Sequence, residues 1–139
     1  MLIGMLNSTS YDVAKVLGYD LNTDMDDIRE HIGICPQFDV LFEDLSARQH
    51  LDLYAAIKGR PVVDGDTLLT KLKLPLDNQK ASTFSGGMKR RLSVGNALVG
   101  DSPILFLDEP SSGLDPVSRR QLWELLREEK NVKGKTIVL

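Results

Sequence analysis

Thiols, imidazoles and long apolar runs are all scarce in this chain, and each scarcity closes off a class of protein. Among its 139 residues, Cys35 is the one cysteine, so no internal disulfide forms. With only His31 and His50 beside it, on different predicted elements, it builds no zinc site either. The chain reads as cytosolic. No apolar stretch approaches the roughly 20 residues needed to cross a bilayer. The opening Met1-Leu2-Ile3-Gly4-Met5-Leu6 has neither the basic flank nor the cleavage pattern of a signal peptide. Membrane attachment is therefore expected to come from a partner or from further sequence. Positive charge is also short: a net charge of -3 and a pI near 5.3 repel polyanions, so nucleic acid is not an expected partner. The basic run Lys89-Arg90-Arg91 does not change this. Its three cations point in different directions on a helix, nothing aromatic is interleaved to stack bases, and a solvated face paired with nearby carboxylates is expected.

Repeats, low-complexity tracts and long linkers are absent too, leaving one continuous α/β pattern. Residues 13–17 form a short strand candidate closed by Gly18. Met25–His31 reads as a helix opened by Thr23 or Asp24, and Ile32–Cys35 as the next strand. Pro36 removes a donor and turns the chain into a loop through Gln37. Ser46 with Gln49 three residues later is a capping box, opening a helix that runs to Lys58 and stops at Gly59. A polar helix follows over residues 66–73, ended by Pro75. From Ser85 the spacing of Met88, Leu92, Gly95 and Val99 marks another helix. Ile104–Leu107 is an unbroken apolar run of the kind seen in a central parallel strand. Asp115 then caps a helix with Pro116 at its first position and Leu122, Leu125 and Leu126 as its buried stripe. Gly134 leads to a last strand over residues 136–139. Residues 1–6 read as the tail of an apolar helix, so both ends are expected to fall inside elements.

Two segments carry chemistry. Ile104-Leu105-Phe106-Leu107-Asp108-Glu109-Pro110 delivers adjacent carboxylates to the C-terminal edge of a strand, where open α/β sheets place their ligands. Oxygen ligands of this kind suit magnesium, and a positioned carboxylate is suited to polarising a water. An acidic turn after a strand is also common, so this segment by itself supports either reading. Phe84-Ser85-Gly86-Gly87-Met88 opens a helix with backbone N–H groups that no Cβ obstructs, and the helix dipole favours an anion there. Taken singly, Ser-Gly-Gly is more often a plain turn.

The order of the motifs separates function from coincidence. The segment from Ser85 through Ser93, then Asp108-Glu109-Pro110, then Ser111-Ser112-Gly113-Leu114-Asp115-Pro116 resembles the signature, Walker B and D-loop series of ATP-binding cassettes, and Pro36-Gln37 resembles the Q-loop. The wording is most similar to the A-subfamily of eukaryotic full transporters, many of which move lipids: Asp26-Asp27-Ile28-Arg29 leading into Gly33-Ile34-Cys35-Pro36-Gln37, and Ser118-Arg119-Arg120-Gln121-Leu122-Trp123.

The resemblance implies an α/β, partial P-loop NTPase fold of ABC type, a mostly parallel sheet with an inserted helical subdomain. Residues 1–40 and 100–139 would form the catalytic core, and about 41–99 the helical subdomain with the signature helix. It implies ATP and Mg2+, with Asp108 and Gln37 at the metal and Glu109 and Gln37 at the attacking water. Ser85, Gly86, Gly87 and Met88 would close on ATP held by a second cassette in a head-to-tail dimer, and Asp115 would signal across that interface. The Q-loop would touch the coupling helices of a transmembrane domain. The implied activity is ATP hydrolysis driving transport, and the implied location is the cytoplasmic side of a membrane.

Several departures qualify the match. No G-x-x-x-x-G-K-[ST] loop is present: Gly134-Lys135-Thr136 has Glu129 where the first glycine belongs, and it precedes a strand when it should follow one. The family's switch histidine would follow the strand at which this sequence stops. His31 and His50 fall on the wrong elements to replace it and read as ordinary helix residues. Asp12 stands where a glycine is usual, Phe84 where leucine is usual, and Met88 where glutamine is more general. The Walker A strand is expected beside the Walker B strand, so without it an edge of Ile104–Leu107 is expected to lie open. A fragment of a longer transporter, inactive alone, is the expected reading. Two alternatives stand: a non-catalytic piece lending its signature helix to a partner, and a soluble ATPase of the same type.

Overall fold

The computed structural model describes residues 14–59 and 64–139. The expected helix tail at residues 1–6, the turn at Asp12 and the first residue of the strand expected over 13–17 lie outside the described residues. The chain divides into two compact units, one ending at His31 and the other beginning at Ile32.

In the first unit β1 (Lys15–Val16) pairs antiparallel with β2 (Tyr19–Asp20) across Leu17 and Gly18, whose φ values of 55° and 89° are the left-handed pair that a tight hairpin requires. The strand expected before Gly18 is thus half of a hairpin. The helix α1 (Met25–His31) follows; Asp24 Oδ2 accepts the backbone N–H of Asp20, and Thr23 donates to Asp24 Oδ1 at 2.6 Å.

The second unit is built on a three-stranded parallel sheet in the order β3 (Ile32–Cys35), β4 (Ile104–Leu107), β5 (Thr136–Val138). Ile32 lies opposite Ile104, and Ile104 opposite Thr136. The strand β4 is therefore central, with both hydrogen-bonding edges paired. This corrects the expectation that its edge lies open: the strand that ends the sequence takes the place assigned to the Walker A strand.

Among the described residues three α-helices lie between β3 and β4: α2 (Ala47–Ile57), α3 (Gly65–Lys71) and α4 (Gly86–Leu98). The capping box at the start of α2 is complete, with Ser46 Oγ accepting the Gln49 N–H and the Gln49 side chain accepting the Ser46 N–H. His50 is fully buried; its Nδ1 lies 2.8 Å from the Ser46 carbonyl oxygen, and its Nε2 accepts the Phe42 N–H at 2.9 Å. Nε2 as acceptor leaves the proton on Nδ1, which makes this the neutral tautomer. The imidazole ties the loop after β3 to α2. Asp64 caps α3, so this helix starts one residue before the expected position.

The core is shared between sheet and helices. Cys35, Leu105 and Leu107 pack in one apolar cluster with Leu51, Leu69, Leu92, Val94 and Ala97, while Ile104 and Phe106 stay partly exposed. The closest approach is between β3 and α4: a Cβ on Gly33 would sit 2.0 Å from the carbonyl oxygen of Ala97. Glycine at 33 is what lets the α4 backbone touch the strand. After β4, α5 (Pro116–Asn131) buries Leu122, Leu125 and Leu126, the expected stripe, and Gly134 (φ 68°) turns the chain into β5.

Candidate functional site

The second unit contains every candidate site residue. The strand β3 ends in Pro36-Gln37 and its parallel neighbour β4 ends in Asp108-Glu109. The Asp108 N–H donates to the Cys35 carbonyl at 2.8 Å, extending the strand pairing to the place where both loops begin. Sheet register alone puts Gln37 and the two carboxylates at one edge. The side chains of Gln37, Asp108 and Glu109 are all exposed there.

Glu109 has φ 45°, in the left-handed region that non-glycine residues rarely adopt. Such a conformation costs of order 1–3 kcal/mol and persists only where the surroundings over-determine it. Here the Glu109 carbonyl accepts the Ser112 N–H at 3.0 Å, closing a turn, and a second donor from the interior.

That second donor is Arg90, and sequence reasoning missed it. The expected solvated basic face is corrected: the Arg90 side chain is only 4% exposed. Nη2 donates to the carbonyls of Asp108 and Glu109, the latter at 2.9 Å, and Nε to that of Pro110 at 3.3 Å. Nη1 reaches the Pro36 carbonyl at 2.7 Å, the Gln37 carbonyl at 3.2 Å and Asp39 Oδ1 at 3.1 Å. One guanidinium joins the Walker B turn to the Q-loop. The signal was available in the helical period, since positions 90, 93, 94 and 97 share one face and the last three are Ser93, Val94 and Ala97, all buried. A charge in line with a buried face has to find buried partners. The neighbouring cation points elsewhere, with Arg91 Nη1 donating to Ser118 Oγ at 2.8 Å.

At the start of α4, Ser85 is the N-cap and its Oγ accepts the Met88 N–H at 3.2 Å. Accepting occupies a lone pair and leaves the hydroxyl proton to be donated outward. Ser85 and Gly86 are exposed, and a Cβ on Gly86 would meet nothing within 4 Å. One on Gly87 would lie 3.4 Å from Leu114 Cδ2, which places the signature turn against the D-loop. Met88 is half-buried against the core. Asp115 caps α5 through Oδ1, which accepts the N–H groups of Val117 and Ser118, each at 3.0 Å. Hydrogen bonding from Ser118 holds this carboxyl below the usual carboxylate range. Burial pushes the Cys35 thiol up, against a smaller opposing effect from the Ser93 hydroxyl 3.5 Å away.

Among the described residues no group of three or more His, Cys, Asp or Glu is placed to hold a metal, and no helix is long and apolar enough to cross a membrane.

With this geometry in place, comparison with known proteins is decisive. The family model described as ABC transporter matches residues 1–112. The chain belongs to the ABC transporter family. Its cassette is 43% identical over 141 residues to ABC transporter A family member 9 of Arabidopsis thaliana, covering 96% of this chain and 15% of that protein. It is 42% identical over 144 residues to the phospholipid-transporting ATPase ABCA3 of Rattus norvegicus, covering 100% of this chain and 8% of that protein. The cassette thus spans a small part of the curated relatives that it matches. Among solved structures, an ATP-binding subunit of an ABC transporter superposes with a TM-score of 0.82 at 28% identity, over 98% of this chain and 58% of that one. A dimeric ATP-binding cassette in a post-hydrolysis state, bound to ADP and Pi, does so with a TM-score of 0.79 at 25% identity, over 88% and 59%. The expected fold class, a P-loop NTPase fold of ABC type with a parallel sheet, is the one observed.

Proposed function

We propose that this cassette is part of a membrane transporter of lipids, in which two cassettes pair head to tail around ATP and hydrolysis drives movement of the substrate. The observation that carries the reading is the Arg90 knot, which binds the Q-loop and the Walker B turn to the helix opened by Ser85-Gly86-Gly87. The parts for phosphate binding and for water activation belong to one rigid framework.

Each residue has a role that its surroundings fit. The exposed Gly86 N–H region and the outward hydroxyl of Ser85 suit a phosphate approaching from a second cassette. Glu109, held in its strained backbone state, directs a carboxylate outward from the strand end, where it accepts the proton of an attacking water. Exposed oxygens of Asp108 and Gln37 at the same edge fit a magnesium ion, which is usually bound by one or two carboxylates together with substrate phosphates and waters, so a three-ligand protein cage is not required. When bound, that ion neutralises charge developing on the phosphates. Asp115 lies one residue after Leu114, which touches the signature turn, and this suits a role in the dimer interface. Dimeric cassettes among the solved structures support the pairing.

Phe38, Val40 and Phe42 follow Gln37 and are 79%, 58% and 51% exposed. An apolar strip leaving the Q-loop suits docking of a transmembrane domain's coupling helices on the cytoplasmic side. The lipid substrate rests on the A-family relatives, one of which is named as phospholipid-transporting.

The test is Glu109→Gln in the full-length transporter in proteoliposomes. Expected is a loss of ATP turnover of about 10²–10⁴-fold with nucleotide binding retained, because a positioned base contributes on that order. ATP-dependent transfer of labelled phospholipid between leaflets should stop with it. Turnover within two-fold of the unaltered protein would remove Glu109 from the reaction.

A further inference from the structure

We propose that Arg90 is a positioning residue for hydrolysis, acting through main-chain carbonyls to hold Glu109 and Gln37 in register; the inference rests on the cassette reading above. Its geometry goes beyond what stability requires. A guanidinium has five N–H donors in a rigid fork, and here the fork spans six acceptors, five of them carbonyls on the two loops that follow the paired strands β3 and β4. Asp39 supplies the one carboxylate.

What the fork holds matters more than how many bonds it makes. Nη2 takes the carbonyls of the two peptides that flank Glu109, so both peptide planes that set the direction of the Glu109 side chain are fixed by one group. That group also secures the left-handed φ of 45°. Nη1 does the same for the two peptides that flank Gln37. Arg90 itself sits on α4, one turn beyond the Ser85-Gly86-Gly87 start, so any rotation of that helix is passed directly to both loops. Closure on nucleotide at the signature turn and alignment of the water-activating carboxylate become one mechanical event.

A purely structural arginine makes a different prediction. Lysine preserves the charge and reaches Asp39, but its three donors radiate from one nitrogen and cannot bridge carbonyls on both loops. In the full-length transporter in proteoliposomes, Arg90→Lys is therefore expected to lower kcat about 10²-fold, the scale of a misplacement of about 1 Å. KM for ATP should stay within three-fold and the thermal midpoint close to that of the unaltered protein. Asp39→Asn, which keeps an oxygen acceptor and removes only its charge, should lower kcat several-fold with KM unchanged. It decides the matter if the lysine variant does not assemble. The proposal is overturned if Arg90→Lys keeps kcat within two-fold. It is equally overturned if KM rises while kcat holds, if kcat falls only in step with thermal stability, or, where lysine does not assemble, if Asp39→Asn leaves kcat unchanged. Glu109→Gln run alongside separates the two levels. If unaltered protein turns over ATP and Glu109→Gln does not, the cassette reading stands and the Arg90 results speak for themselves; if Glu109→Gln remains active, that reading fails and this proposal falls with it.

Discussion

Adding one methyl group at Gly33 should loosen the joint between sheet and signature helix. The Cβ of Gly33→Ala would stand 2.0 Å from the Ala97 carbonyl oxygen, 3.0 Å from its carbon and 2.7 Å from Leu105 Cδ2. Leu105 can swing its methyl aside, but Ala97 is helix backbone and moves only if α4 as a whole moves off β3. Overpacking costs about 1–3 kcal/mol and occasionally more, and an obstacle made of main chain puts this variant at the upper end, near 3 kcal/mol. For a domain of this size 1 kcal/mol corresponds to roughly 3–5 °C, so the midpoint should fall by about 10 °C. Cys35, on the same strand and fully buried, reports the opening in the intact protein: temperature-dependent alkylation of its thiol is read by mass spectrometry of that peptide. Two other glycines calibrate the result. A Cβ at Gly95 would stand 2.7 Å from the flexible end of Leu72 and in ordinary contact with Leu51 Cδ2 at 3.6 Å, so Gly95→Ala should lose about 1 kcal/mol. Gly86→Ala meets nothing and should hold or slightly raise the midpoint, since alanine favours a helix. Yet it should impair ATP turnover, because the added methyl stands where a phosphate is proposed to approach. A Gly33→Ala midpoint within 2 °C of the unaltered protein would refute the packing of α4 on β3.

Other consequences follow from single contacts. Ser46→Ala removes the buried half of the capping box and should destabilise α2 by about 1 kcal/mol, seen as faster amide exchange over Gln49 and its neighbours. Because burial raises the Cys35 thiol, its alkylation at neutral pH should be slow in the folded protein and become fast on unfolding; rapid labelling under native conditions would contradict its burial. Asp115 has a carboxyl lowered by hydrogen bonding from Ser118, so its ionised cap stabilises α5 fully above the ordinary aspartate value of about 3.9. That contribution is lost as pH falls from there through the lowered folded value. Exchange protection at Val117 and Ser118 should weaken in that acid window and not between pH 5 and 8.

Much of the local structure was written in short-range signals. The helix Met25–His31, the strands Ile32–Cys35 and Ile104–Leu107, the Ser46 capping box and the Asp115-Pro116 helix start all occur where periodicity and caps place them. Each depends on interactions within a few residues, which is why a single sequence suffices. The small strand β2 escaped because two residues carry no period.

The order of motifs along the chain by itself determined the family and the fold class and pointed to the residues of the candidate site. Tertiary structure alone decided which strand flanks β4, and so left no open edge where one was expected. It alone turned Arg90 from a surface cation into the group that binds two loops. Its partners lie 18 to 54 residues away, and strand order and buried charge pairing are settled by which surfaces meet after collapse; helical period records that a face is buried but not what lies opposite it.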